Sequence, residues 1–199
     1  DPFVASLVPF VVEDNAETRG FFLRSLASDE RSWSEVYGVS TDETGLTVER
    51  NVFRYRPTAV TIRAAGFVPL AEILRVALAG ARVGARVSLS LTDPLPDGAL
   101  KLLRQGSEVF APIADYVVEN EREFVSRVAG NPPERIRLLG SRADALSVAF
   151  DGTPEVAIYG YEATESGRVE MLPFVIEQAV SLTAHRFGAI DPRFRDLAI

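Results

Sequence analysis

The 199-residue chain has no cysteine and a single histidine, His185. Without a thiol it can form no disulfide, hold no zinc–thiolate centre and use no cysteine nucleophile. One imidazole excludes any metal site built on two histidines. Lysine is almost as scarce: of 21 basic residues all but Lys101 are arginine, so no other lysine can serve as a Schiff base or nucleophile. No apolar run reaches the roughly 18 residues of a membrane helix, so no integral membrane segment is expected. An excess of basic charge is also missing. The formal net charge is −7, which argues against a nucleic-acid or anionic-membrane partner. The opening, DPFVASLVPFVVED, has no basic stretch ahead of its apolar residues. It is expected not to be a signal peptide and reads as a boundary inside a longer polypeptide. A cytoplasmic location is the expectation for such a chain.

What is there is an ordinary globular mixture, 47% apolar and 25% charged, long enough for one domain with a proper core. Residues 14–36 carry Phe21, Phe22, Leu26 and Trp33 among charges. They predict a helix capped by Asp14 and interrupted near Ser28 and Asp29. The alternation of Val48, Val52, Phe53 and Tyr55 predicts an extended lead-in that Pro57 stops. Strands then alternate with helices: strands at 59–64, 85–91, 115–120, 134–140 and 154–161, helices at 69–84, 97–106, 121–130 and 141–150. The stretch GRVEMLPFVIEQAVSLTAHRFG, 167–188, reads as a long final helix with Leu172, Ile176 and Val180 on its buried face. This order predicts an α/β fold, a Rossmann-like doubly wound and mostly parallel sheet over 58–199, with 1–57 as a helical and extended N-terminal appendage.

A Rossmann-like pattern invites a nucleotide, yet the usual glycine fingerprint is missing. The first turn reads AAGFVPL, 64–70, with one glycine. Gly80 and Gly84 fall at a helix end and read as caps. There is no phosphate-binding loop with its lysine and no strained serine turn of the hydrolase type. His185 could act as a base only with a substrate or nucleophile in reach. Its neighbour Ser181 lies four residues back on the same helical face, so a helix-terminal or interface histidine is the plainer reading. Glu119, Glu121 and Glu123 read as a solvated helix start, and Asp93 and Asp97 as cap and turn residues around Pro94 and Pro96.

Residues 56–96 resemble the opening of the aldehyde dehydrogenase cofactor domain, which runs strand, Trp-Asn-x-Pro-Leu turn, helix, then a strand ending in Lys-Pro-Ser-Glu. Pro69 and Leu70 match the Pro-Leu pair. Phe67 falls where that family has its oxyanion-stabilising asparagine, Ser90 where it has the lysine that contacts the cofactor ribose, and Asp93 at the glutamate. RIRLLGS, 135–141, resembles the strand into Phe-Thr-Gly-Ser, with Gly140 and Ser141 kept and Leu139 replacing the threonine. The resemblance therefore implies vestigial cofactor positions at Phe67, Ser90, Gly140 and Ser141. Phe67 cannot donate a hydrogen bond to an oxyanion, and no cysteine is present to form a thiohemiacetal.

Residues 49–57 and 167–188 resemble the C-terminal region of bifunctional proline utilization proteins. These join proline dehydrogenase to 1-pyrroline-5-carboxylate (glutamate semialdehyde) dehydrogenase, with FAD and NAD as cofactors. That resemblance implies a non-catalytic domain with no cofactor of its own, whose partners are the catalytic modules of the same polypeptide. It implies a role in closing the passage between active sites, hence in substrate channelling, and in assembly. A homo-oligomer is left open. The implied contact residues are Glu177, Gln178, Ser181, Thr183, His185, Arg186, Phe187 and Gly188. Two other readings stand beside it: a nucleotide module retaining weak NAD binding between Gly66 and Gly140, and a small independent enzyme.

Overall fold

Five parallel strands carry the architecture of this computed structural model: β3 (Ala59–Ala64), β4 (Arg86–Leu91), β5 (Asp115–Val118), β6 (Arg135–Leu139) and β7 (Ala157–Tyr159). Their order across the sheet is β5-β4-β3-β6-β7, the doubly wound arrangement expected from the sequence. The structure describes residues 1–11, 16–46, 49–141, 143–152 and 155–183, and the backbone of 185–186 and 189–190.

Helices cover both faces. On one face α3 (Leu70–Arg82) is buried almost all round, between Val60, Ile62, Val87 and Leu89 of the sheet and an outer helical layer. That layer comprises α1 (Pro2–Val11) and α2 (Ala16–Ser32), and α4 (Asp97–Gln105) packs beside α1. On the other face α5 (Glu121–Gly130) and α6 (Ala143–Ala149) enclose a second cluster of Phe124, Val128, Ile136, Leu138 and Leu146. The strict alternation in β3 and β6 sends neighbouring residues to opposite layers, which is why one short strand feeds two cores.

The lead-in is β2 (Glu49–Pro57), flanked by β1 (Ser40–Thr41). Along its whole length β2 pairs antiparallel with β8 (Val175–Thr183), from Glu49 opposite Thr183 to Pro57 opposite Val175. This overturns the expected final helix. Residues 167–183 instead form one helical turn, α7 (Gly167–Glu170), a 3₁₀ turn at Leu172–Phe174, and then β8. Pro173 sits in the 3₁₀ turn, where its missing N–H is harmless. Beyond it Val175, Ile176, Val180 and Thr183 are β-branched and favour the strand. The helical reading failed because Ile176 and Val180, four residues apart, share a face in a strand as they do in a helix.

The burial assignment falls with it. Leu172 and Ile176 are 47% and 43% exposed, while Phe174 and Val175 take the buried places. Ile176→Ala is therefore expected to cost about 1 kcal/mol or less, where a buried isoleucine would cost about 2–5. A shift in urea midpoint worth the larger figure would contradict the exposed placement.

Two smaller expectations also change, the break in α2 and the cap at Gly80. Helix α2 runs unbroken through Ser28 and Asp29, because the Asp29 carboxylate is paired with Arg75 and the Ser28 hydroxyl accepts the Gly167 N–H at 3.0 Å. Its expected cap, Asp14, lies outside the described residues. The opening stretch is itself a helix, with the Asp1 carboxylate accepting the Phe3 N–H at 2.7 Å. Gly84 has φ +76 just past α3, as a cap requires, but Gly80 is a packing glycine. A Cβ there would lie 2.7 Å from the Phe174 ring and from Val87.

Candidate functional site

The sheet's switch point lies between β3 and β6, where the chain leaves the two strands toward opposite faces. Open α/β sheets bind ligands at such a point. A crevice of about 540 Å³ opens there at the carboxyl ends of β3, β6 and β7. Three of the four expected vestigial positions, Phe67, Gly140 and Ser141, line it. Gly140 has φ +68, and a Cβ on it would come within 2.9 Å of the Phe67 ring. The ring thus lies against bare backbone at the rim, 78% exposed. On the neighbouring side, between β3 and β4, Gly66 and Asp93 face each other in a smaller depression of about 120 Å³.

The fourth position, Ser90, does not reach the crevice. It is fully buried on the face covered by α5. Its hydroxyl donates to Glu119 Oε1 at 2.6 Å and accepts from Arg63 Nη1 at 3.1 Å. Arg63, itself 1% exposed, also bonds the Glu119 carbonyl at 2.9 Å, Thr92 Oγ1 at 3.2 Å and Glu121 Oε2 at 3.2 Å. Arg127 closes the cluster with a forked contact to Glu119 at 2.5 and 3.0 Å. Both guanidinium groups lie over the Phe124 ring, at 5.0 and 5.6 Å. Burial pushes the Glu119 carboxyl up, but hydrogen bonds from Arg127 and Ser90 and the charges of Arg127 and Arg63 outweigh it and hold the group below its usual range. Glu119 is thus a buried ion-pair residue and not the solvated start of a helix. The helix start is set by Asn120 and Glu123, which exchange hydrogen bonds in a capping box.

Two further buried pairs join elements distant in sequence, α2 with α3 and β6 with α7. Arg75 holds Asp29 through two bonds of 2.6 and 2.8 Å, with 0% and 2% of the side chains exposed. Arg137 holds Glu170 at 2.7 and 3.2 Å, both side chains fully buried. The Arg137 guanidinium also donates to the carbonyls of Leu138 and Tyr161 and stacks 4.0 Å from the Tyr161 ring. Sequence reading missed all three arginines, yet each carried a signal. Arg63, Arg75 and Arg137 interrupt the apolar runs AVTIRA, ILRVALA and RIRLLG at positions that must face inward.

Four of the expected contact residues, Glu177, Gln178, Ser181 and Thr183, fall on β8. Gln178 Oε1 accepts from Arg54 Nε at 2.7 Å, and Ser181 Oγ donates to Glu49 Oε1 at 2.9 Å. Glu177 stands opposite Tyr55 and Thr183 opposite Glu49, both exposed. His185 and Arg186 lie on β9 (His185–Arg186), paired antiparallel with β10 (Ala189–Ile190), so Ser181 and His185 are not helical neighbours. Phe187 and Gly188 lie outside the described residues. Among the described residues no group of three or more acidic, histidine or cysteine side chains could hold a metal, and no helix is long and apolar enough to cross a membrane.

The charged part of the crevice lining is acidic among the described residues. Its charged lining residues are Glu72 and Glu162, and no basic side chain among the described residues lines it to meet a pyrophosphate.

The chain matches no protein-family model and no curated protein sequence. Solved structures do match it. Proline utilization A (PutA) from Corynebacterium freiburgense is 28% identical over 92% of this chain, with a TM-score of 0.58, and the match spans 15% of that protein. A point variant of PutA from Bradyrhizobium japonicum is 21% identical over 78% of this chain and 17% of its own, with a TM-score of 0.54. An aldehyde dehydrogenase from Brucella melitensis biovar abortus is 19% identical over 72% of this chain and 32% of its own, with a TM-score of 0.47.

Proposed function

We propose that this chain, a PutA-like domain of the aldehyde dehydrogenase superfamily, catalyses no reaction itself and serves as a packing domain of a longer proline-catabolic polypeptide. The parent would oxidise proline to glutamate through the semialdehyde, with FAD and NAD held on its catalytic modules, in the cytoplasm. The domain would help to close the passage between the two active sites and aid assembly. Residues 1–57 would supply the helical layer and β2, and 58–199 the sheet and the rest of the arm. The contact would be made by Glu177, Gln178, Ser181, Thr183, His185, Arg186, Phe187 and Gly188. A strand arm suits that task, since among the described residues β8 pairs with β2 on one side only, which would leave its other edge for a neighbour.

The observation that carries the reading is Ser90. By resemblance it falls where the family has its ribose-contacting lysine, and its hydroxyl is locked between Glu119 and Arg63 beneath α5. A side chain so held cannot swing out to a cofactor without breaking a buried ion-pair network. Phe67 offers no donor at the oxyanion position, and the chain supplies no thiol.

The test is to incubate the chain with glutamate semialdehyde and NAD and to follow NADH. The expected rate is that of buffer. NADH formation above that background, abolished by heating the protein, would overturn the non-catalytic reading. Micromolar NAD binding by calorimetry would instead favour a surviving nucleotide module.

A further inference from the structure

We propose that the crevice at the carboxyl ends of β3, β6 and β7 binds an organic cation: a guanidinium or alkylammonium group carried on an apolar stem. The inference does not rest on the packing role above. It starts from the mismatch between the position of the crevice, where such sheets hold ligands, and the sign of its charge.

Glu72 and Glu162 line the crevice, and neither carboxylate has a hydrogen bond or ion pair to another described residue. Glu72, on the first turn of α3, is half-buried. Burial and then the charge of Glu162 push its carboxyl above the usual range, with Glu170 adding to the effect and Arg137 opposing it. A carboxylate held partly out of water beside a second negative group gains from any cation that enters. Arg137 cannot supply that charge, because its guanidinium is already committed to Glu170 and to backbone carbonyls.

The rest of the lining suits the remainder of such a ligand. Val68 and Leu139 offer apolar contact for a hydrocarbon stem. Phe67 presents an exposed aromatic face at the rim, where a planar cation gains from the ring quadrupole. The same chemistry is already used next door. Tyr161, which also lines the crevice, stacks on the Arg137 guanidinium while Glu170 neutralises it. The crevice offers a second set of the same partners, carboxylates and an aromatic ring, with no cation among the described residues to fill it.

The experiment is calorimetric titration of the chain at low salt with n-butylguanidinium, n-butylammonium, the neutral n-pentanol, NAD, and an acetylated, amidated Gly-Arg-Gly peptide. The two cations are expected to bind and pentanol not to. Glu72→Gln is expected to weaken cation binding about tenfold, a loss of roughly 1.4 kcal/mol, and Phe67→Ala by a smaller factor. Unchanged urea midpoints would establish that both variants fold. Tighter binding of the peptide than of n-butylguanidinium would assign the cation to an arginine of a polypeptide partner. Equal or weaker binding would assign it to a free small cation. No cation binding, or cation binding unchanged in the Glu72→Gln, Glu162→Gln double variant, overturns the proposal and leaves the non-catalytic reading standing. Micromolar NAD binding that Phe67→Ala weakens and the cations fail to displace overturns the cation assignment and favours a surviving nucleotide module.

Discussion

Glu170→Gln is expected to lower the free energy of unfolding by about 3–5 kcal/mol, the usual cost of removing one partner of a buried ion pair. The substitution hardly changes volume, so the loss comes from charge alone. Glu170 accepts two bonds from Arg137 and the N–H of Thr164 at 3.0 Å, all away from water. Without the carboxylate the guanidinium stays buried with carbonyl partners and no counter-charge. The pair also ties the parallel sheet to the segment that sequence reading took for a final helix. Arg137 lies in β6, and Glu170 ends the short helical turn that leads into β8. Replacing both residues, Arg137→Met with Glu170→Leu, is expected to cost less than the sum of the single changes, because no lone charge is left behind. Urea denaturation of the four proteins reads this directly. A Glu170→Gln midpoint within about 0.5 kcal/mol of the parent would mean that the pair is open to water.

The second large effect is expected at Phe174. Its side chain is fully buried, and its ring fills the gap left by the missing Cβ of Gly80 on α3. Its carbonyl accepts the Thr58 N–H at 3.0 Å, fixing where β2 gives way to β3. Phe174→Ala is expected to cost about 3–5 kcal/mol, from lost burial and the cavity left behind. The cost contrasts with that of Ile176→Ala, two residues along, where the side chain is half in water. A final helix with Ile176 inward would reverse the two results, so the pair of variants discriminates strand from helix at this point in the chain.

The parallel sheet was legible because its signals are local. β3, β4 and β6 are short apolar runs bounded by breakers. Helices α3, α4 and α5 carry one apolar face each, with Pro69, Pro96 and Asn120 at their starts. The arm was not legible, because β8 is defined by a partner more than a hundred residues away in the chain, and no local period announces it. The site was legible in part. Phe67, Gly140 and Ser141 were placed together by resemblance, and the crevice does bring them together. Ser90 was placed with them by sequence position alone. Strand alternation turns it to the opposite face of the sheet, and that turn keeps it out of the crevice lining. Glu119 was read as exposed because acidic residues at a helix start usually are. Its carboxylate is instead held by Arg127 of α5 and Ser90 of β4, with Arg63 of β3 bonding its carbonyl, and none of these partners lies in its own short acidic run.

The central claim, that this domain seals a passage and performs no chemistry, is tested most directly by the lag before NADH appears when the parent polypeptide is given proline. The comparison is between the parent and its Arg186→Ala variant, with each half-reaction also assayed alone. A sealing arm predicts a longer lag in the variant, as semialdehyde escapes into solution, while both half-reactions keep their rates. A lag unchanged in the variant, with assembly unaltered, would contradict the account.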